Sequence, residues 1–267
     1  MKEIDVEGRK VIQMEILDAV SSFCKDKGIR YSLACGTLLG AVRHGGYIPW
    51  DDDIDIYMLR EDYKRFEEEF PTTYKGRYKF GSISRDENWT CLFGKVWDDR
   101  TVMVELRQKT SDMGVNIDVF PIDEVPDDNR IFEKWNTRRK KKIIDIRRSS
   151  FHFSKDFSLW QNLLIPFVKL RYIFFDNKKA LCKLNREIQK FNGSNSQSVF
   201  ETSCGLSVKH PFPKNLFDSL IEIKFEDKVY TAFANYDEYL SQTFGDYMTL
   251  PPEEKRVAHH LETSYWK

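Results

Sequence analysis

The string Asp51-Asp52-Asp53-Ile54-Asp55-Ile56-Tyr57-Met58 constrains this chain more than any other. From Asp53 onward polar and aliphatic residues alternate with the period of a β-strand. Asp53, Asp55 and Tyr57 therefore share one face, and Ile54, Ile56 and Met58 the other. The aliphatic face must pack on a core, which fixes the acidic face in register. A solvated acidic loop has no use for Ile54 and Ile56, and like charges on a half-buried face are costly without a counter-ion. A calcium loop fits Asp51, Asp53 and Asp55 as its first ligands but needs glycine at the sixth place, where this chain has Ile56. Two aspartates at i and i+2 on a strand do suit Mg2+ or Mn2+, the hard ions that neutralise charge when a phosphoryl group moves between oxygens. A third carboxylate from another strand would complete such a site. In Val115-Asn116-Ile117-Asp118-Val119 the alternation turns Asp118 and Asn116 away from the aliphatic face.

Around these strands the pattern is mixed. Ile12, Ile16, Val20 and Phe23 recur at helical spacing, predicting a first helix over about residues 8–26 with Gly28 as its stop. Arg30 to Cys35 reads as a strand running into Gly36-Thr37. Leu38 to Arg43 follows as a helix with Thr37 near its N-cap, broken by Gly45-Gly46. A charged helix is expected over Glu61–Phe70. Strands are expected over Tyr78–Ile83, Cys91–Trp97, Thr101–Glu105 and Gly114–Phe120. From about residue 128 the texture is helical, with Asn129–Arg148 and Lys178–Phe191 as the segments and Gly193-Ser194-Asn195-Ser196 as the clearest loop. The expected organisation is a catalytic core over 1–127, a helical, basic and aromatic lobe over 128–198, and a C-terminal segment over 199–267 that packs back on the core.

The string from Tyr31 to Ile56, including Ala34-Cys35-Gly36-Thr37-Leu38-Leu39-Gly40 and Tyr47-Ile48-Pro49-Trp50 before the aspartates, closely resembles the LicD family. Further similarity lies in Asn116 to Asp123 and in the stretch from Phe244 to His260. The resemblance implies a mixed α+β fold, with a nucleotidyltransferase-like core sheet, flanking helices and a helical lobe. It implies transfer of phosphocholine or a similar substituted phosphate from CDP-choline or another CDP-alcohol to a hydroxyl of a cell-surface glycan precursor such as teichoic acid, with a lipid-linked acceptor. By match to the family motif, Asp53 and Asp55 become the metal pair, Asp118 the third carboxylate and Gly36-Thr37 the donor-phosphate turn. Asp51 either joins the shell or shapes the turn. Arg43 and His44 either contact donor phosphate or complement the C-terminal dipole of their helix. Lys95 either neutralises phosphate or is merely exposed. Arg256, His259 and His260 match the family's end motif, although adjacent histidines alone are more often surface residues.

Composition removes several other classes. Lys plus Arg and Asp plus Glu both number 42, so no whole-chain field favours wrapping nucleic acid. Five cysteines without a CxxC pair indicate neither a disulfide framework nor a zinc ribbon. The charged opening Met1-Lys2-Glu3-Ile4-Asp5 does not read as a signal peptide, so none is expected, and polar residues and Pro166 interrupt the apolar stretch Trp160–Phe175, which makes it a poor span. A cytoplasmic location is expected. The basic run Arg138-Arg139-Lys140-Lys141-Lys142, followed by Arg147-Arg148, reads as a solvated face or as a peripheral contact with an anionic membrane. Two competing functions are a nucleotide-sugar glycosyltransferase using the same aspartates, and a non-catalytic membrane or nucleic-acid binding module.

Overall fold

A computed structural model describes residues 1–74, 76–104, 113–149, 166–167, 170, 172–204, 210–256 and 263–267. Glu105, His259, His260 and most of the Trp160–Phe175 stretch lie outside the described residues. The fold is mixed α+β, as the sequence predicts, with a curved mixed sheet at its centre.

Helix α1 (Val6–Lys27) begins where Asp5 Oδ1 accepts the Gly8 N–H at 2.8 Å and ends at Gly28, whose φ of 62° is the left-handed conformation that glycine adopts without penalty. Its apolar stripe of Ile12, Ile16, Val20 and Phe23 is buried. The short strand β2 (Ser32–Leu33) then leads into α2 (Cys35–His44), which stops at Gly45 with φ 74°. This helix starts two residues before the expected N-cap at Thr37. Ala34 is the cap residue, and the Cys35 N–H is held by the hydroxyl of Tyr239, a long-range partner that local pattern cannot reveal.

Strand β3 (Asp55–Leu59) carries the alternating string, and Ile54, Ile56 and Met58 are fully buried. Helix α3 (Arg60–Thr73) crosses over and outruns the expected end at Phe70. Pro71 cannot donate to the carbonyl of Glu67, but that carbonyl is satisfied by Arg85 Nη1 at 3.0 Å, so the helix continues. Strands β4 (Tyr78–Gly81) and β5 (Gly94–Asp98) pair antiparallel. β6 (Thr101–Val104) leaves that sheet and pairs with β12 (Thr263–Trp266), which also takes in β1 (Glu3–Ile4).

The central strand is β7 (Asn116–Val125), longer than the expected Gly114–Phe120. It lies parallel to β3 on one edge and antiparallel to β5 and then β8 (Ser198–Glu201) on the other, giving the order β2-β3-β7-β5-β4. Pro121 in mid-strand explains why the pattern reads shorter. The Asp118 N–H faces β3, where it reaches Ile54 O at 2.8 Å, so by alternation residue 121 would donate toward the other edge. There the pairing with β5 has ended at Val119 and that with β8 has not begun until Ile122, so no ladder bond is lost.

Helices α4 (Asn129–Ser149) and α5 (Asn177–Ile188) pack on a small core of their own, where Ile143, Ile146, Leu181, Leu184 and Ile188 meet Leu92 from the β4–β5 loop. Arg139 corrects the reading of the basic run as one solvated face. It is almost fully buried and donates to the carbonyls of Thr202 (2.6 Å) and Cys204 (2.8 Å) and to Asn136 Oδ1. Strand β9 (Phe212–Pro213) pairs with β8. The hairpin β10 (Leu220–Phe225) and β11 (Lys228–Phe233), with α6 (Tyr236–Phe244) after it, then returns the chain to α2.

Candidate active site

Register brings the aspartates together. Asp55 on β3 stands directly opposite Asp118 on the parallel strand β7, and Asp118 stands opposite Lys95 on β5. Lys95 Nζ lies 2.5 Å from Asp118 Oδ1 and 3.1 Å from Asn116 Oδ1, so Lys95 belongs to this face and is not a free surface cation. Below the aspartates the same face is aromatic. Tyr57 packs edge-on against Phe120 and Tyr239, with ring centroids 5.9 Å apart in both pairs, and Phe120 lies on Phe93 at 4.4 Å.

Burial and mutual repulsion load the acidic cluster. Asp55 is buried, and its pKa is raised well above the ordinary carboxylate value by desolvation first and then by the charges of Asp53, Asp118 and Asp51. Asp51 is pushed up to about 7 by burial, then by the charge of Asp53 and a hydrogen bond to it. Asp51 therefore stands with the cluster. Asp52 turns the other way, to a buried ion pair with Arg9 at 3.2 Å.

The approach to these residues is clamped from several directions. Gln13 Nε2 donates to the carbonyls of Asp52 (2.9 Å) and Asn116 (3.2 Å), so α1 ties the acidic loop to β7. Tyr47 OH donates to Gln13 Oε1 at 3.0 Å, and the Tyr47 N–H donates to Glu226 Oε1 at 2.8 Å. Neither Arg9 nor Gln13 is recognisable from the sequence as part of a site, because their partners lie some forty to a hundred residues away.

Thr37 sits in the first turn of α2, where its Oγ1 accepts the Asp55 N–H at 2.8 Å and sets the start of β3. A side chain at Gly36 would collide with Asp51 Oδ2, so glycine is what lets the helix start approach the carboxylate. Ala34 has no polar side chain to cap α2 and the Tyr239 hydroxyl takes only the Cys35 N–H, so the next amides, those of Gly36 and Thr37, are the donors at the helix start. Cys35 just before them holds φ 49°, an uncommon conformation for a residue with a Cβ.

A cationic cluster adjoins the acidic loop. Arg43 Nη1 donates to the Tyr247 carbonyl at 2.7 Å, and its pKa is lowered by burial and then by the neighbouring charge of Arg256. The guanidinium of Arg256 lies 5.7 Å from the ring of Trp50, which His44 meets edge-on at 6.1 Å. Burial and the Arg43 charge hold His44 below its ordinary pKa, favouring the neutral ring. The structure thus brings Arg43, His44 and Arg256 together around Trp50, the residue before Asp51. In the sequence Arg256 lies more than two hundred positions from Arg43 and His44.

The hard oxygens of Asp53, Asp55 and Asp118 are the donor chemistry that a divalent cation selects, and the raised pKa of Asp55 records its burial beside other carboxylates. Among the described residues, no three His, Cys, Asp or Glu side chains converge at ligand spacing. Asp55 and Asp118 are register partners on β3 and β7, and their side chains would have to turn toward a shared cation to hold it.

Facing carboxylates on neighbouring strands of a mixed sheet, beside a cluster of cations, are the layout of a phosphoryl-group transferase. The chain belongs to the LicD family, since residues 28–171 match the model described as LicD/FKTN/FKRP, nucleotidyltransferase domain. It is 30% identical to the lipopolysaccharide cholinephosphotransferase LicD of Haemophilus influenzae over 270 residues, covering 99% of each chain. A shorter match, 57% identical over 35 residues, is to the ribitol 5-phosphate transferase FKRP of human and mouse, covering 13% of this chain and 7% of the relative.

Proposed function

We propose that this protein transfers phosphocholine, or a similar substituted phosphate, from a CDP-linked alcohol to a hydroxyl of a cell-surface glycan precursor. The observation that carries this reading is the register of Asp55 against Asp118, which gathers carboxylates from two strands at the edge where α2 begins. The near full-length similarity to a cholinephosphotransferase supports the choice of group.

In this reading Asp53, Asp55 and Asp118 hold Mg2+ or Mn2+, which when bound supplies charge neutralisation for the phosphates. The amides at the start of α2, with Arg43 and Arg256, bind the donor phosphates and the charge that gathers on departing CMP. His44 and Trp50 flank them. Lys95 orients Asp118 and adds a positive charge beside the transferred group. Asp118, on a different strand from the pair, receives the proton of the incoming hydroxyl.

Purified protein given CDP-choline, Mg2+ and a glycan acceptor is expected to release CMP together with a phosphodiester product, and chelation by EDTA is expected to stop it. Release of a nucleoside diphosphate would instead identify a nucleotide-sugar glycosyltransferase and overturn the proposal.

A second expectation reads the metal without turnover. The folded-state pKa of Asp51, about 7, lies above the ordinary carboxylate value, so the folded protein binds more protons than the unfolded chain between those limits. Stability without metal should therefore fall as pH rises through that window, and Asp55 acts in the same direction. A divalent cation binds the deprotonated carboxylates and relieves the repulsion. Saturating Mg2+ should raise the melting temperature by roughly 5–10 °C at about pH 8 and by much less near pH 6. Equal gains at both pH values would remove these carboxylates as the binding site.

A further inference from the structure

The chain as a whole is neutral, but the helical pair α4–α5 is not. The exposed positions of α4 carry Arg130, Lys134, Arg138, Lys141, Arg147 and Arg148, with Glu133 as the exposed acid among them. Along α5 and the turn after it, Lys179, Lys183, Arg186 and Lys190 follow at spacings of four, three and four residues, a single stripe on the solvent side. The helices run antiparallel, tied by Lys142 to Glu187 and by Ser149 to Asn177, so the two basic faces adjoin. Near the α5 C-terminus they bound a groove of about 390 Å³ where Arg130, Lys134, Arg138 and Lys190 surround Trp135.

At the other end, the residues leading into α5 are apolar and exposed. Phe167 is 71% exposed, Leu170 68%, Ile173 65% and Phe174 96%. They are anchored where Tyr172 OH donates to Asp145 Oδ1 at 2.7 Å near the end of α4, and where Phe175 turns inward to the small core of the pair. Ile131 and Ile144 add exposed apolar area along α4 itself. Among the described residues no helix is long and apolar enough to cross a membrane.

We propose that the α4–α5 face docks on the surface of an anionic lipid bilayer, its cations against the headgroups and the side chains of Phe167, Leu170, Ile173 and Phe174 inserted at the acyl boundary. Charge complementarity selects the occupant. Ten exposed cations on a neutral protein call for a polyanionic surface, and largely exposed aliphatic and aromatic side chains at one end fit the apolar margin of a bilayer. The backbone of a nucleic acid would use the cations and leave Ile173 and Phe174 in water. The docking face is also connected to the carboxylate site. Leu92 packs into the core between the helices, Phe93 lies tilted against Phe120, and Lys95 two residues later holds Asp118.

The test uses the full chain and vesicles of phosphatidylcholine with or without phosphatidylglycerol, scored by co-sedimentation. Binding is expected only with the anionic lipid and should fall steeply with salt. The triple variant Lys183→Gln, Arg186→Gln, Lys190→Gln should bind about 100-fold more weakly, since each cation near such a surface contributes about fivefold. Ile173→Ser with Phe174→Ser should lose a similar factor, and all variants should keep the melting temperature and the turnover of a short soluble acceptor. Should a variant fail to fold, release of the unmodified protein by high salt supplies the same evidence. Equal binding to neutral and anionic vesicles, or full binding by the triple variant, would overturn the proposal. So would a duplex bound more tightly than vesicles, with no loss from the Ile173 and Phe174 changes.

Discussion

Asp55→Asn is expected to cost transfer about 10³-fold or more while leaving the protein folded and no less stable. The loss corresponds to roughly 4 kcal/mol of transition-state charge stabilisation, the scale of a removed metal ligand. The side chains are isosteric, and the backbone contact to Thr37 does not involve the carboxylate. The retained stability follows from the sign of the pKa shift. Burial and the facing Asp53, Asp118 and Asp51 oppose ionisation of Asp55, so a neutral amide there relieves repulsion. Single-turnover transfer from CDP-choline and a thermal melt, measured on the same preparation, separate the two effects. Full turnover would remove Asp55 from the site. A melting temperature well below that of the unmodified protein would make its role one of stability.

Asp123, five residues along the same strand from Asp118, is expected to behave in the opposite way. Its carboxylate is wholly buried and takes a two-pronged ion pair from Arg60 (Nε to Oδ1 and Nη2 to Oδ2, both 2.7 Å), together with Asn192 Nδ2 at 2.6 Å and Thr202 Oγ1 at 2.5 Å. These partners come from α3, from the loop after α5 and from the end of β8, so one side chain joins three parts of the fold. Removing it strands a buried guanidinium. Asp123→Ala should lower stability by about 3–5 kcal/mol, a melting point lower by roughly 6–20 °C. Transfer per folded molecule should be far less affected at a temperature where the variant is folded. A variant with the normal melting point and no activity would move Asp123 from the frame to the chemistry.

What the sequence made legible was periodic and local. The alternation in Asp53–Met58 assigned side chains to the two faces of β3, although Asp55 and Tyr57 on the polar face are buried as well, and Gly28 and Gly45 marked helix ends because left-handed φ has few other occupants. The pairing of Asp55 with Asp118 was less accessible, since it depends on strand order, and only the family resemblance joined the two before the fold did. Contacts that steady the site were out of reach. Arg9 reads as one more charged residue on an amphipathic helix until its ion pair to Asp52 is seen, and Tyr239 gives no sign that it holds the start of α2. Arg139 was hidden by its neighbours. In a run of five cations nothing local marks the one whose helical position turns it inward to carbonyls on a different segment.

The clamps around the acidic loop bear on where this chain can be cut. The segment that matches the family model, 28–171, holds Asp53, Asp55 and Asp118 but omits Arg9 and Gln13 before it and Glu226, Tyr239, Tyr247 and Arg256 after it. It also omits β8, the antiparallel neighbour of the second half of β7. A fragment trimmed to those limits would expose the apolar stripe of α1's docking surface and an unpaired strand edge. It would retain every carboxylate proposed for catalysis and lose the scaffold that aims them. A chain cut to the stretch by which its kinship is recognised is therefore expected to be less stable than one that keeps both flanks.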